Sequence, residues 1–137
     1  EFVDGVSVQQ LGIAERRRDG PPALGDGIDA RLHIGRALAA IHHNIGSPWS
    51  ADSLAREVSM SRSAFVDRFT TLVGMPPIRY LTVWRLQVAK RSLRETRKTI
   101  AQVAQDVGYG SDEAFSRAFK RELGLSPARW RDQQTAN

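Results

Sequence analysis

The sequence predicts an all-α chain in which a helix–turn–helix unit occurs twice, the two copies joined by a long helix, about seven helices in total. Three observations predict this. From residue 30 onward apolar residues recur at the spacing of a helix's buried stripe, and no strand-like alternation is found. Cap residues and breakers cut that pattern into helix-sized pieces. Two of the pieces also repeat. At a spacing of 49, Ala55 matches Ala104 and Val58 matches Val107; at a spacing of 50, Ser61, Ala64, Phe65, Phe69, Gly74 and Pro77 match Ser111, Ala114, Phe115, Phe119, Gly124 and Pro127. The shift by one falls in a turn, where insertion is cheapest, and two copies are too few for a solenoid.

The first helix carries Ile34, Ala37, Leu38 and Ile41 on one stripe and ends at Asn44-Ile45-Gly46 followed by Pro48. Ser50 is the N-cap of a short helix holding Leu54, Ala55 and Val58, and Asp52 suits its positive end. Ser59-Met60-Ser61 interrupts it, and the next helix carries Ala64, Phe65, Phe69 and Leu72 to Gly74. Pro77 opens the long helix, with Leu81, Trp84 and Val88 on one stripe, to about Arg94. Thr99 caps a helix with Ile100, Val103, Ala104 and Val107, which Gly108-Tyr109-Gly110 breaks. Ser111 starts another with Phe115, Phe119 and Leu123, and Ser126-Pro127 opens the last, cap residue then proline at the first helical position. Within each copy the small Ala55 and Ala104 allow two helices to approach closely, the Phe pairs at i,i+4 anchor the second helix, and Gly74 and Gly124 suit a left-handed helix stop. All of these belong to the core, so they define which faces stay outside.

Composition narrows the function. The chain has 137 residues and no cysteine, which excludes disulfides, Cys-ligated metals and a cysteine nucleophile. No apolar run approaches the ~18 residues of a membrane span, and no signal peptide stands at the start. A cytoplasmic setting is expected. Residues 1–30 carry three arginines against six acids, whereas residues 31–137 carry 17 basic and nine acidic residues. A basic balance of that kind suits a polyanionic partner. Lys90, Lys98 and Lys120 are the only lysines, and the bland reading of so arginine-rich a chain is a G/C-rich genome. Residues 1–30 read as an N-terminal extension and linker, the stretch Arg16–Gly27 being solvated, with Val6, Val8, Leu11 and Ile13 ahead of it as a short amphipathic helix. The chain opens on Glu1-Phe2, the dipeptide that GAATTC encodes in frame, and is read as part of something longer. Residues 31–133 are read as the functional domain and 134–137 as a tail.

With Phe115, Ala118 and Phe119 inside, the later repeated helix exposes Asp112, Glu113, Ser116, Arg117, Lys120 and Arg121 on one side. Short polar residues plus an arginine suit a helix entering the major groove, where Arg to guanine is the commonest specific contact. A merely solvated charged face is the bland alternative. The earlier copy exposes Arg62, Ser63, Val66, Asp67 and Thr70, a less basic surface.

These residues resemble a family. Residues 33–133, through "PWSADSLAREVSMSRSAFVDRFTTLVGMPPIRYL" and "IAQVAQDVGYGSDEAFSRAFKRELGLSPARWR", are similar to the DNA-binding domain of the AraC/XylS regulators, and residues 1–14 to the end of the cupin-like effector domain that precedes it in some members. The resemblance implies a bacterial regulator, more often an activator, that binds promoter DNA sequence-specifically and contacts RNA polymerase, with any small-molecule effector acting through a preceding domain. By position it implies base-facing roles for Arg62, Ser63, Val66 and Asp67, and for Asp112, Glu113, Ser116 and Arg117. It implies backbone-facing roles for Trp49, Ser50, Lys98, Thr99, Lys120 and Arg121. The long helix, ~27 Å at 1.5 Å per residue, would hold two recognition helices near one turn of DNA apart, ~34 Å, in successive major grooves.

Two departures from the family pattern stand out. Ser59 fills a turn position where glycine is usual, and a left-handed conformation there would cost ~1 kcal/mol. Asp67 stands where an arginine or glutamine is common. It either accepts from a cytosine amino group or pairs with Arg62 or Arg68. The favoured expectation is that the first unit mainly positions the protein and the second reads more of the sequence.

No enzyme motif occurs. His42 and His43 are adjacent and point in different directions, His33 lies nine residues away, and all three are expected as exposed helix histidines. Gly108-Tyr109-Gly110 lacks the preceding strand of a phosphate-binding fingerprint. Some DNA-repair proteins that resemble the family use a reactive cysteine, which this chain lacks. Neither a metal nor a cofactor is expected. The rival reading is a helical protein-interaction module whose basic face meets an acidic partner.

Overall fold

The computed structural model describes residues 2–3, 6–7 and 26–135. Seven helices follow in the expected order: α1 (Asp26–His43), α2 (Ala51–Glu57), α3 (Arg62–Val73), α4 (Pro77–Glu95), α5 (Ile100–Asp106), α6 (Asp112–Leu123) and α7 (Pro127–Thr135). Ahead of them β1 (Phe2–Val3) pairs antiparallel with β2 (Val6–Ser7) in a ladder that sets Phe2 opposite Ser7 and Val3 opposite Val6. The short helix expected around Val6 is thus corrected at that residue; Val8, Leu11 and Ile13 lie outside the described residues. A second correction concerns α1, which starts at Asp26 and so takes in the last two residues of the stretch read as linker. Gly27 costs a helix about 1 kcal/mol, which the burial of Ala30, Ile34, Ala37 and Ile41 further along outweighs. No described helix is long and apolar enough to cross a membrane.

The chain divides into two compact units, one made of residues up to 44 together with 49–83, the other of 45–48 and 84–137. The 19-residue α4 begins in the first and ends in the second. In the first unit Leu54, Ala55, Val58, Phe65, Phe69, Val73, Tyr80 and Leu81 are buried with the α1 stripe. His33 and His42 are half-buried, not exposed as expected. The His33 Nδ1–H donates to the Val58 carbonyl at 2.9 Å, a bond that requires the proton on Nδ1 because a carbonyl only accepts. His42 Nε2 is hydrogen-bonded to the Tyr80 hydroxyl. Both histidines therefore fasten α1 to its neighbours, through partners 25 and 38 residues away that no local pattern reveals.

The second unit has its own core: Leu86, Ala89 and Leu93 of α4, Val103, Ala104 and Val107 at α5, Phe115 and Phe119 of α6. Trp130 packs against it from α7, edge-on to Phe119 with the rings 6.1 Å apart. Tyr80 stands edge-on to Phe69 at 5.8 Å in the first unit. Edge-to-face pairs at such distances are a favoured aromatic geometry. Tyr80 and Trp130 are 50 residues apart, so the repeat extends to an aromatic on the helix following each recognition helix. Sequence comparison missed it because the two residue types differ.

The turns repeat in detail. Met60 N–H and Tyr109 N–H each donate at 2.9 Å to the carbonyl of the matched alanine, Ala55 and Ala104. Ser61 and Ser111 then cap α3 and α6 by accepting from Ala64 N–H and Ala114 N–H, which places Gly110 as the extra residue. Gly74 and Gly124 stop those helices at φ of 98° and 90°, as expected. Between Val58 and Met60, Ser59 has a φ of 61°, while its counterpart Gly108 has 99°. The first turn thus holds an exposed serine in the left-handed region, as its sequence position implied. Ser59→Gly relieves ~1–2 kcal/mol of that strain and returns ~0.5–1 kcal/mol as extra unfolded-state entropy. The expected net is a small stabilisation, read in urea as a higher midpoint at unchanged slope. A lower midpoint would mean that the serine contributes more than its backbone costs.

Candidate nucleic-acid interface

Both repeated second helices turn their phenylalanines inward, and this determines what they show outward. On α6, Phe115, Ala118 and Phe119 are buried, Asp112, Glu113, Arg117, Lys120 and Arg121 are exposed, and Ser116 is half-buried. On α3, Phe65, Phe69 and Val73 are buried, Arg62, Ser63 and Asp67 are exposed, and Val66 is half-buried. Each helix therefore brings its own set of predicted base-facing residues to one face.

The two faces differ in chemistry. Asp112 and Glu113 of α6 lie in its first turn and Lys120 and Arg121 in its last, the order the helix dipole favours, although Glu122 also stands at that end. Arg121 Nε lies 3.5 Å from Glu122, so part of its charge is engaged along the helix, whereas Arg117 stands exposed at mid-helix. On α3, Arg62 leans back to Asp52 of α2 at 3.8 Å. The pairing of Asp67 with Arg62 considered from sequence is therefore replaced by a contact between two helices. Both partners are exposed, and an ion pair of that kind adds ~0–1 kcal/mol at most. A shallow, open depression follows α3, lined by Ser61, Arg62, Ser63, Val66, Asp67 and Thr70. Thr70 was not among the predicted site residues, although it lies one turn after Val66 and matches Lys120 in the repeat.

Four of the residues expected near the DNA backbone, Trp49, Ser50, Lys98 and Thr99, are already engaged within the fold. The Trp49 indole N–H donates to the Asn44 carbonyl at 2.9 Å, which leaves its ring, not a hydrogen bond, to offer. Ser50 and Thr99 are N-caps: Ser50 Oγ accepts from Ser53 N–H and Thr99 Oγ1 from Gln102 N–H, both at 3.0 Å, within capping boxes. Each hydroxyl keeps its proton for an outside acceptor. Lys98 Nζ meets Asp106 at 2.7 Å with both groups half-exposed, and an ammonium has three donors.

Sequence reasoning also missed Arg85, which supports the second turn from behind. Its guanidinium donates to the Ile45 and Ser47 carbonyls at 3.2 and 2.7 Å and lies over the Tyr109 ring, 5.9 Å from its centre. Burial pushes its pKa below the ordinary value, with Tyr109 opposing; a guanidinium starts so high that it stays charged. A Cβ on Gly108 would come within 2.7 Å of this guanidinium, so the turn needs glycine there for space as well as for its positive φ.

Comparison with known proteins agrees with the helix–turn–helix fold. Residues 54–133 match a family model described as a helix-turn-helix domain. An AraC-like transcription regulator of Streptomyces lividans is 42% identical over 102 residues, 74% of this chain and 34% of the relative. The HTH-type transcriptional regulator AlkR of Acinetobacter baylyi is 43% identical over 108 residues, 77% of this chain and 35% of AlkR. The chain thus spans about a third of the length of the curated relatives it matches. Among solved structures, the DNA-binding domain of the global transcriptional factor AdpA, crystallised with a target DNA, superposes with a TM-score of 0.73 at 30% identity, covering 75% of this chain and 93% of that one.

Proposed function

The chain belongs to the helix-turn-helix family of AraC-like transcription regulators, and from that membership we propose that it is a sequence-specific binder of promoter DNA. Helices α3 and α6 enter successive major grooves, the second unit doing more of the base reading and the first more of the positioning. The observation that carries this is the face of α6, where Arg117 stands exposed between Glu113 and Arg121 while the phenylalanines are locked inside. A mid-helix arginine with no competing partner on its own helix is what bidentate contact to guanine O6 and N7 requires. Lys120, Arg121, Lys98 and the hydroxyls of Ser50 and Thr99 suit phosphate oxygens, which take half or more of the hydrogen bonds in such interfaces. Activation through RNA polymerase, and an effector acting on a domain outside this chain, are proposed from the family resemblance. Binding is the proposed activity, with no part for catalysis, metal or cofactor.

Fluorescence anisotropy with a random duplex at about 50 and 200 mM salt tests this reading, because neutralised phosphates release counterions and affinity falls by orders of magnitude. Flat or absent binding would favour the basic-face protein-interaction module. The same measurement on Asp67→Ala has an expected sign. An exposed carboxylate facing the groove is repelled by phosphates, so its removal raises affinity for random DNA with little change at the preferred site. A large loss confined to one base pair would instead make Asp67 a base reader.

A further inference from the structure

The outward faces of α3 and α6 differ at each matched position along mid-helix: Val66 for Ser116, Asp67 for Arg117 and Thr70 for Lys120. Val66 is half-buried in the open depression along α3, with Thr70 one turn further on. The Thr70 hydroxyl donates to the Val66 carbonyl at 2.7 Å, the back-bond a helical threonine makes to the residue four before it. With its proton committed to the backbone, Thr70 has no donor left to offer outward, only its methyl and an accepting oxygen. Side chains at i and i+4 are neighbours on a helix surface, so Val66 and Thr70 together present an apolar patch. Arg62, one turn before Val66, lines the same depression but is paired with Asp52 at 3.8 Å, and an ionised Asp67 only accepts.

We infer that α3 reads a thymine by its C5 methyl group, with Val66 as the contact and Thr70 as its apolar neighbour. This rests on the duplex binding proposed above and deepens it. Among the four bases only thymine presents a methyl group in the major groove, and apolar side chains are its usual partners. The contact needs no donor and is modest in strength, consistent with a first unit that mainly positions.

The test uses a duplex selected by the wild-type chain from a random pool, with each thymine replaced in turn by deoxyuridine, which lacks only the C5 methyl. One replacement is expected to weaken binding about fourfold, the worth of burying a single methyl group. Val66→Ala should bind the unmodified duplex with a similar loss and become insensitive to that one replacement while keeping its response to any other. Thr70→Ser keeps the hydroxyl that bonds the Val66 carbonyl but loses the methyl, and should blunt the response at the same thymine; it serves if Val66→Ala does not fold. If the wild-type chain binds every deoxyuridine duplex as tightly as the parent, or selects a site without a preferred thymine, the inference is overturned and the functional reading stands. Absence of salt-dependent binding to any duplex would overturn both.

Discussion

Phe119→Ala is expected to cost the second unit ~3–5 kcal/mol, the range for emptying a buried phenylalanine site. The side chain is fully buried, 5.6 Å from the Phe115 ring and 6.1 Å from the Trp130 ring, so alanine takes one ring partner from each. Total stabilities of ~5–15 kcal/mol leave little margin for such a loss. The thermal midpoint should fall by on the order of 20 °C. Far-UV circular dichroism of a heated sample, wild type beside variant, reads the change directly. A midpoint within a few degrees of wild type would mean that the aromatic cluster collapses onto the gap and that α6 is not held as described.

Arg117→Ala should do the opposite: leave the melt within ~0.5 kcal/mol of wild type, as surface substitutions do, and weaken the selected duplex by ~1–3 kcal/mol, roughly fivefold to 150-fold. The loss should come with relaxed preference at one base pair. Lys120→Ala provides the contrast, because removing a phosphate contact weakens all duplexes alike and lowers the salt slope. If Arg117→Ala proves more destabilising than Phe119→Ala, the inward and outward faces have been assigned the wrong way round.

The fold was largely legible because its determinants are local. Caps at Ser50, Ser61, Thr99 and Ser111 and stops at Gly74 and Gly124 act within one turn of themselves, and the buried faces follow the helical period. What escaped was non-local or short. Two-residue strands have no period to detect, and Gly27 reads as a breaker until the stripe beyond it is seen to be buried. The site was legible as two faces but not as a set of free groups. The tie of Arg62 to Asp52 crosses between helices, and Trp49 donates to a backbone carbonyl whose direction no sequence states. Thr70 escaped for another reason: the role proposed for it rests on a hydroxyl folded onto its own backbone, while its side chain alone reads as polar.

The bond from Met60 or Tyr109 to the matched alanine, the serine cap and the ring pair behind it recur although the outward stripes share little. The frame thus holds its shape whichever letters are mounted on it, and this makes the chain a substrate for grafting. Val66→Ser, Asp67→Arg and Thr70→Lys together would copy the second unit's mid-helix stripe onto the first, while Phe65, Phe69 and Tyr80 stay as they are. Such a chimera would spell one recognition vocabulary twice. On the proposed reading, target choice in the first unit then follows these three positions, with the hydrophobic architecture inherited unchanged.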